Sequence, residues 1–366
     1  MKNICLQSTS MHSKISDILT ELEELLDREH LYYGHGTSSA RDEALAMVLS
    51  VFDLNYPLDN DLLAILPSSK QWLDLNELLS QRILNKIPLP YLTNEAYFCD
   101  HKFFVDDRVL IPRSPIAELI KNNLEPWINI NRVKRVLEIG TGSGCIALSM
   151  AKQFPHLEIV ATDISAPALE VAKINTKAMK LDNRVKLIQA DLFTNLSGCF
   201  DLIISNPPYV AQEIFENLPT EYSYEPQKAL VAGENGLDFI SRILQDAPPF
   251  LNDDGVLIIE AGVASTEVER VYSLPIKWIS FEHGGEGVAL IETAISDIEN
   301  QGAFVLDHLT TGIDLYPIIR NERLVHFEKK LTTQIYLDRL GPDAIFRSMG
   351  EMIAKHPDLI KDNVRE

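Results

Sequence analysis

From Val133 onward, short apolar runs alternate with longer amphipathic stretches, and no other feature restricts the chain as much. Arg135 to Ile139 reads as a strand and Cys145 to Phe154 as a helix; Glu158 to Thr162 is a second strand and Pro167 to Met179 a second helix. Val185 to Gln189 and Asp201 to Ser205 supply two more strands, Leu237 to Ala247 a helix, and Gly255 to Glu260 a fifth strand. Strands separated by helices run parallel through right-handed crossovers, so this part predicts a doubly wound α/β sheet. Ile276 to Phe281 and Val288 to Ile291 flank His283-Gly284-Gly285-Glu286-Gly287 and are expected to pair as an antiparallel ribbon. The count becomes seven strands, the last antiparallel.

The flanks follow other patterns. Ile15, Ile18, Leu19, Leu22, Leu25 and Leu26 recur at three- and four-residue steps, Tyr33 to Thr37 interrupts them, and Ala44 to Phe52 and Trp72 to Leu84 resume the helical period. A helical substrate-recognition domain over 1–95 is expected. Tyr97-Phe98 and His101 to Val109 are aromatic and β-branched, with Asp106-Asp107 between apolar runs. They suggest a β-hairpin linker leading the 96–295 domain. Ile111-Pro112-Arg113-Ser114-Pro115 then opens a helix near Ile116. Past residue 296 the alternation stops; Asn321 to Leu340 and Asp343 to Ala354 look helical, which gives a C-terminal helical tail over 296–366.

Charge narrows the function. Across 366 residues, 53 acidic and 33 basic side chains leave a formal net charge of -20. Such a surface repels a phosphate backbone and attracts a basic partner, so a basic protein is expected and a nucleic-acid substrate is not. Cys5, Cys99, Cys145 and Cys199 form no CxxC pair, which points to neither a metal site nor a disulfide framework. The first twenty residues lack an apolar core and no apolar run reaches membrane-spanning length. A cytoplasmic location without membrane association is the expectation; the oligomeric state is not legible.

Val136 to Gly144 reads Val-Leu-Glu-Ile-Gly-Thr-Gly-Ser-Gly: a strand, a glycine-rich turn and a helix start. Glycine lets backbone approach a ligand closely, here at the carboxyl end of the first strand of the sheet. A phosphate-binding P-loop needs Gly-Lys-Ser/Thr, and Gly144-Cys145-Ile146 stands instead. Gly142, Gly144 and Ala147 satisfy the dinucleotide pattern GxGxxA, while Glu138 suits the cationic S-adenosylmethionine. The loop (Gly140, Thr141, Gly142, Ser143, Gly144) leaves both cofactors open. Asp163, after the second strand, is placed for ribose hydroxyls. Asp191, after the third, is placed for an adenine amino group, with Leu192 or Phe193 against the ring.

The fourth strand stops at Asn206-Pro207-Pro208-Tyr209. Two prolines stiffen the turn and remove two N–H donors, leaving a side-chain amide and bare carbonyls. Asn206 Oδ1 and the Pro207 carbonyl suit both hydrogens of a planar NH2 group whose lone pair is delocalised. Holding them aims the lone pair and stabilises charge growing on nitrogen. Tyr209 is placed to stack on the planar target.

With this loop the chain resembles class I methyltransferases that act on planar NH2 groups. Leu110 to Pro115, Glu225-Pro226 and Ala229-Leu230 are similar to the protein-glutamine branch rather than the adenine branch acting on nucleic acid. Tyr33 to Thr37, Tyr91 to Ala96, Leu218 to Tyr222 and Gly284 to Gly287 resemble the group that methylates a glutamine of the third large-subunit ribosomal protein; the release-factor group is the near alternative. The resemblance spans roughly residues 20–293. It implies S-adenosylmethionine as cofactor, held by Gly140 to Gly144, Asp163 and Asp191, with Leu192 and Asn206 beside it. It also implies a glutamine amide gripped by Asn206 to Tyr209 and a basic ribosomal protein of the large subunit as substrate. His35, between two glycines, is expected to be a turn or docking residue.

Overall fold

A computed structural model describes residues 5–292, apart from 273, 275, 283, 284 and 286. The chain divides into two units, Met1–Ile295 and Ser296–Glu366. The expected helical tail lies outside the described residues.

The first unit opens with helices α1 (Ile15–Arg28), α2 (Ala40–Phe52) and α3 (Ser69–Asn85). Their apolar stripes share one core, in which Ile18, Leu22, Leu26, Met47, Leu75 and Leu79 lose all contact with solvent. Local chemistry sets the starts. The Ser39 side chain accepts from the Asp42 amide ahead of α2, and Ser68 and Gln71 form a capping box on α3.

The hairpin exists, but its turn is not at Asp106-Asp107. Strands β1 (Glu95–Phe98) and β2 (His101–Phe104) pair antiparallel with Phe98 opposite His101, so Cys99 and Asp100 make the turn. Both have positive φ, 47° and 62°, the conformation a two-residue hairpin demands. Asp106 instead binds the Arg108 guanidinium and its backbone amide. The turn is fixed by the strand register, which is not written in the composition of the Asp106-Asp107 pair.

After α4 (Ile116–Lys121) the sheet begins: β3 (Arg135–Ile139), α5 (Cys145–Gln153), β4 (Glu158–Asp163), α6 (Ala166–Ala178), β5 (Val185–Gln189) and β6 (Phe200–Ser205). It continues with α7 (Asp238–Asp246), β7 (Leu251–Glu260), α8 (Ser265–Val271), β8 (Lys277–Ile279) and β9 (Val288–Glu292). Strand order is β5-β4-β3-β6-β7-β9-β8, with β9 antiparallel to both neighbours. This is the seven-strand class I methyltransferase topology that the sequence predicts.

Side chains alternate across the sheet, so each strand feeds two cores. Val136, Leu202, Ile204 and Ile258 join one with Ile146 and Leu148; Leu137, Ile203, Leu257 and Ile259 join the other with Ile240 and Ile243. Helices cover both faces, which is why these strands read as unbroken apolar runs.

Register places the site. Ile139 lies level with Thr162 on β4 and Ser205 on β6, and Ser205 with Ile259 on β7. The next residues, Gly140, Asp163, Asn206 and Glu260, therefore form one row along the carboxyl edge. Strand order reverses between β3 and β6, and doubly wound sheets bind ligands at that crevice.

Candidate active site

Gly140, Gly142 and Gly144 all take positive φ, at 73°, 54° and 83°. A Cβ at Gly142 would meet nothing within 4 Å, and one at Gly140 would meet only the Asn206 carbonyl, at 3.9 Å. The loop thus borders open space, with the Asn206 turn beside it. Glycine is needed for the backbone conformation here rather than to relieve crowding.

Glu138 is buried against this loop. Its Oε2 accepts from Thr141 Oγ1 at 2.5 Å and from the Ala147 amide at 3.0 Å. Complete burial raises its pKa to about 8 against the pull of those donors. Glu138 therefore braces the turn to the first turn of α5. Ser143 is also buried, and its carbonyl accepts from Asn175 Nδ2 at 2.8 Å.

Asp163 caps the next strand. Its Oδ2 accepts from the Gly142 amide at 2.9 Å and its Oδ1 from the Ser165 amide at 2.8 Å. Burial pushes its pKa up, opposed by these two amides and by Lys228. Each oxygen keeps a lone pair, the acceptor pattern that a pair of ribose hydroxyls requires. The open glycine cradle beside such a carboxylate fits a nucleoside bearing a cationic tail.

Asp191 stands further out, half-exposed, with Oδ2 at 3.0 Å from Arg242 Nη2. Leu192 is buried with φ 50°. Phe193, expected as one of two residues against an adenine ring, instead stacks on Phe250 with ring centroids 4.8 Å apart.

Ser205 Oγ donates to the Ile139 carbonyl at 2.9 Å and locks β6 to β3 just before the Asn206 turn. Asn206 is half-buried and Pro207 buried. Among the described residues no hydrogen bond engages the Asn206 side chain or the Pro207 carbonyl. Tyr209 is anchored rather than free: its hydroxyl donates to Glu260 Oε1 at 2.8 Å, and its ring packs against Gly262, where a Cβ would come within 2.5 Å. Ser114 Oγ donates to the other Glu260 oxygen at 2.5 Å. Burial raises the pKa of Glu260, while burial and the neighbouring Glu260 raise that of Tyr209.

A second buried network backs the turn. Arg113 grips Glu225 with both terminal nitrogens, at 2.6 and 2.7 Å, and the Ile111 amide donates to Glu225 Oε1 at 3.0 Å. Burial opposes ionisation of Glu225, yet His35 and Arg113 bring its pKa down to about 2. His35 Nε2 lies 3.4 Å from Glu225 Oε2. Tyr222 covers both His35, at 4.6 Å between centroids, and Arg113. Next to it Glu221 accepts from Arg82 Nη1 at 3.2 Å and from the Tyr32 amide at 2.9 Å. Segments some 190 residues apart in sequence thus meet behind the catalytic turn.

Sequence reasoning does not reach Ser114 and Glu260. Glu260 had a signal: it ends β7 as Asp163 ends β4, at the same edge. Ser114 had none.

A family model described as "Methyltransferase small domain" matches residues 118–222. The ribosomal protein uL3 glutamine methyltransferase of Francisella tularensis is 40% identical over 291 residues, covering 76% of this chain and 93% of the relative. That of Neisseria meningitidis serogroup B is 41% identical over 295 residues, covering 78% and 95%. A methyltransferase structure from Pyrococcus furiosus aligns with 52% of this chain and 88% of its own, at 22% identity and a TM-score of 0.37. With the sheet order, the glycine cradle and the Asn206 turn in place, identity of this extent shows that the chain belongs to the ribosomal protein uL3 glutamine methyltransferase family.

Proposed function

We propose that this protein methylates the side-chain amide nitrogen of a glutamine in the large-subunit ribosomal protein uL3, in the cytoplasm, with S-adenosylmethionine as donor. The observation that carries the reading is the register that sets Gly140 beside Asn206, so that one crevice has a nucleoside cradle on one wall and a donor-free acceptor turn on the other.

When bound, S-adenosylmethionine supplies an electrophilic methyl carbon. Gly140 to Gly144 and Asp163 hold it, Asp191 and Leu192 border its adenine end, and Glu138 keeps the loop in shape. Asn206 Oδ1 and the Pro207 carbonyl each accept one hydrogen of the glutamine NH2. That grip turns the nitrogen lone pair out of conjugation and stabilises the charge building on it. Pro207 and Pro208 hold the acceptors in place before the substrate arrives, so little reorganisation is needed at reaction. Tyr209, tethered to Glu260, fixes the wall beside the planar group. No strong base is required, because the nitrogen becomes acidic as it alkylates and releases its proton to water. The helices over 1–95 are read as the substrate-recognition part, supported by their contact through Arg82 with the segment after the catalytic turn.

The test uses purified uL3, S-adenosylmethionine and mass spectrometry of the digested product. The wild type adds one methyl to one glutamine, and Asn206→Ala lowers turnover by about a thousandfold, the scale of losing a preorganised transition-state contact. Label appearing on DNA and not on uL3 would reject the assignment.

A further inference from the structure

The segment after the Asn206 turn is fixed at two points. Glu225 is gripped by Arg113 and by the Ile111 amide, and the Leu230 carbonyl accepts from the Val210 amide at 2.9 Å. The Val210 carbonyl in turn accepts from the Ala232 amide at 2.9 Å. Between these ties stands Lys228, an exposed residue whose Nζ donates to the Oγ of buried Ser165 at 2.8 Å. Ser165 lies two residues past Asp163, and its amide is the donor to Asp163 Oδ1. A lysine from the segment that follows the acceptor turn so reaches the end of β4.

Ser165 Oγ also accepts from the Ala168 amide at 3.4 Å and caps α6. A helix start carries partial positive charge, so a cation placed there is disfavoured by the helix itself. An anion close by has to offset it. Among the described residues Lys228 makes no direct ion pair, and Asp163 is a carboxylate whose charge it stabilises. Burial pushes the Asp163 carboxyl toward its protonated form, in which one oxygen carries a proton and accepts less; Lys228 opposes that. The other ionisable side chain acting on Asp163 is Glu138, buried on β3, whose pKa is pushed up to about 8 and which is mostly uncharged at lower pH.

We propose that Lys228 is a positioning residue of the cofactor site: through Ser165 and through its own charge it holds Asp163 as the anionic acceptor of both ribose hydroxyls of S-adenosylmethionine. The inference rests on the reading that Asp163 anchors the cofactor. Because the Lys228 segment is tied to Val210, one element borders the amide acceptors and steadies the ribose end.

Wild type, Lys228→Met, Lys228→Arg, Asp163→Asn and the Lys228→Met/Asp163→Asn double variant are titrated with S-adenosylmethionine by calorimetry between about pH 5 and 7, below the Glu138 titration. Lys228→Met is expected to weaken binding about threefold near neutral pH, the scale of one partly exposed charge contact. Its affinity should also begin to fall at a higher pH than in wild type, because a carboxyl without its cation takes up a proton sooner. Lys228→Arg keeps the charge and the donor and should restore both. In the Asp163→Asn background the Lys228 change should have little further effect, since the pair has nothing left to couple. Wild-type affinity and pH profile in Lys228→Met, a deficit that Lys228→Arg leaves in place, or a loss that simply adds to that of Asp163→Asn overturns the inference and leaves the Asp163 reading intact. Asp163→Asn with wild-type affinity removes that reading itself, and the inference with it.

Discussion

At the scale of single residues, three buried carboxylates behave differently because their donors differ. Asp163 accepts from two amides, one on each oxygen, and is proposed to anchor the cofactor. Asp163→Ala is expected to weaken S-adenosylmethionine binding about tenfold or more, or about 1.4 kcal/mol, by calorimetry. Glu138 is wholly buried, with its pKa raised from 4.5 to about 8. A carboxyl raised by folding stays protonated in the native state while the unfolded chain loses its proton. Stability therefore declines as pH climbs from about 4.5 through about 8. Glu138→Gln keeps an acceptor for Thr141 and Ala147 and should flatten that decline in thermal unfolding followed across this window. A slope unchanged from wild type would place the titration elsewhere. Glu225 runs the other way: held ionised down to about 2, its contribution is fully present above 4.5 and is lost as pH falls from 4.5 through about 2.

At the scale of elements, the helices before the sheet are tied to the catalytic side by a buried ion network. Arg82, on α3, donates from Nε to Glu43 on α2 at 2.6 Å, reaches Glu221 at 3.2 Å and binds the Tyr32 carbonyl at 2.8 Å. Removing the cation strands two buried carboxylates. Arg82→Ala is expected to cost about 3–5 kcal/mol in chemical denaturation. An effect under about 1 kcal/mol would mean the network is solvated, like a surface pair. The strands and helices of the sheet are legible from apolar period alone, because burial on both faces leaves an uninterrupted signal. The hairpin turn is not, since Cys99 adopts a positive φ that its residue type does not favour.

At the scale of the whole molecule, the net charge of -20 is expected to act on encounter rather than chemistry. A basic substrate is drawn in over a distance comparable with the Debye length, so association slows as salt shortens it. Raising ionic strength from about 0.05 to 0.5 M should cut kcat/KM for uL3 about tenfold, with kcat nearly constant. A salt-independent kcat/KM would assign the acidity to solubility. Among the described residues no helix is long and apolar enough to cross a membrane.

The linear chain determined whatever depends on period and on adjacency: the parallel sheet, the glycine turn, the acids that end two strands, and the acceptor turn at Asn206. Each is local, because a strand, its terminal residue and the loop beyond are neighbours in sequence. Tertiary structure alone decided which of those residues face the crevice. It tied Glu138 to Thr141 and Ala147 and set Phe193 onto Phe250, and it assembled Ser114, Glu260 and Tyr209 from three distant segments. Those pairings depend on strand register and on side-chain direction, and neither is written in residue type or spacing.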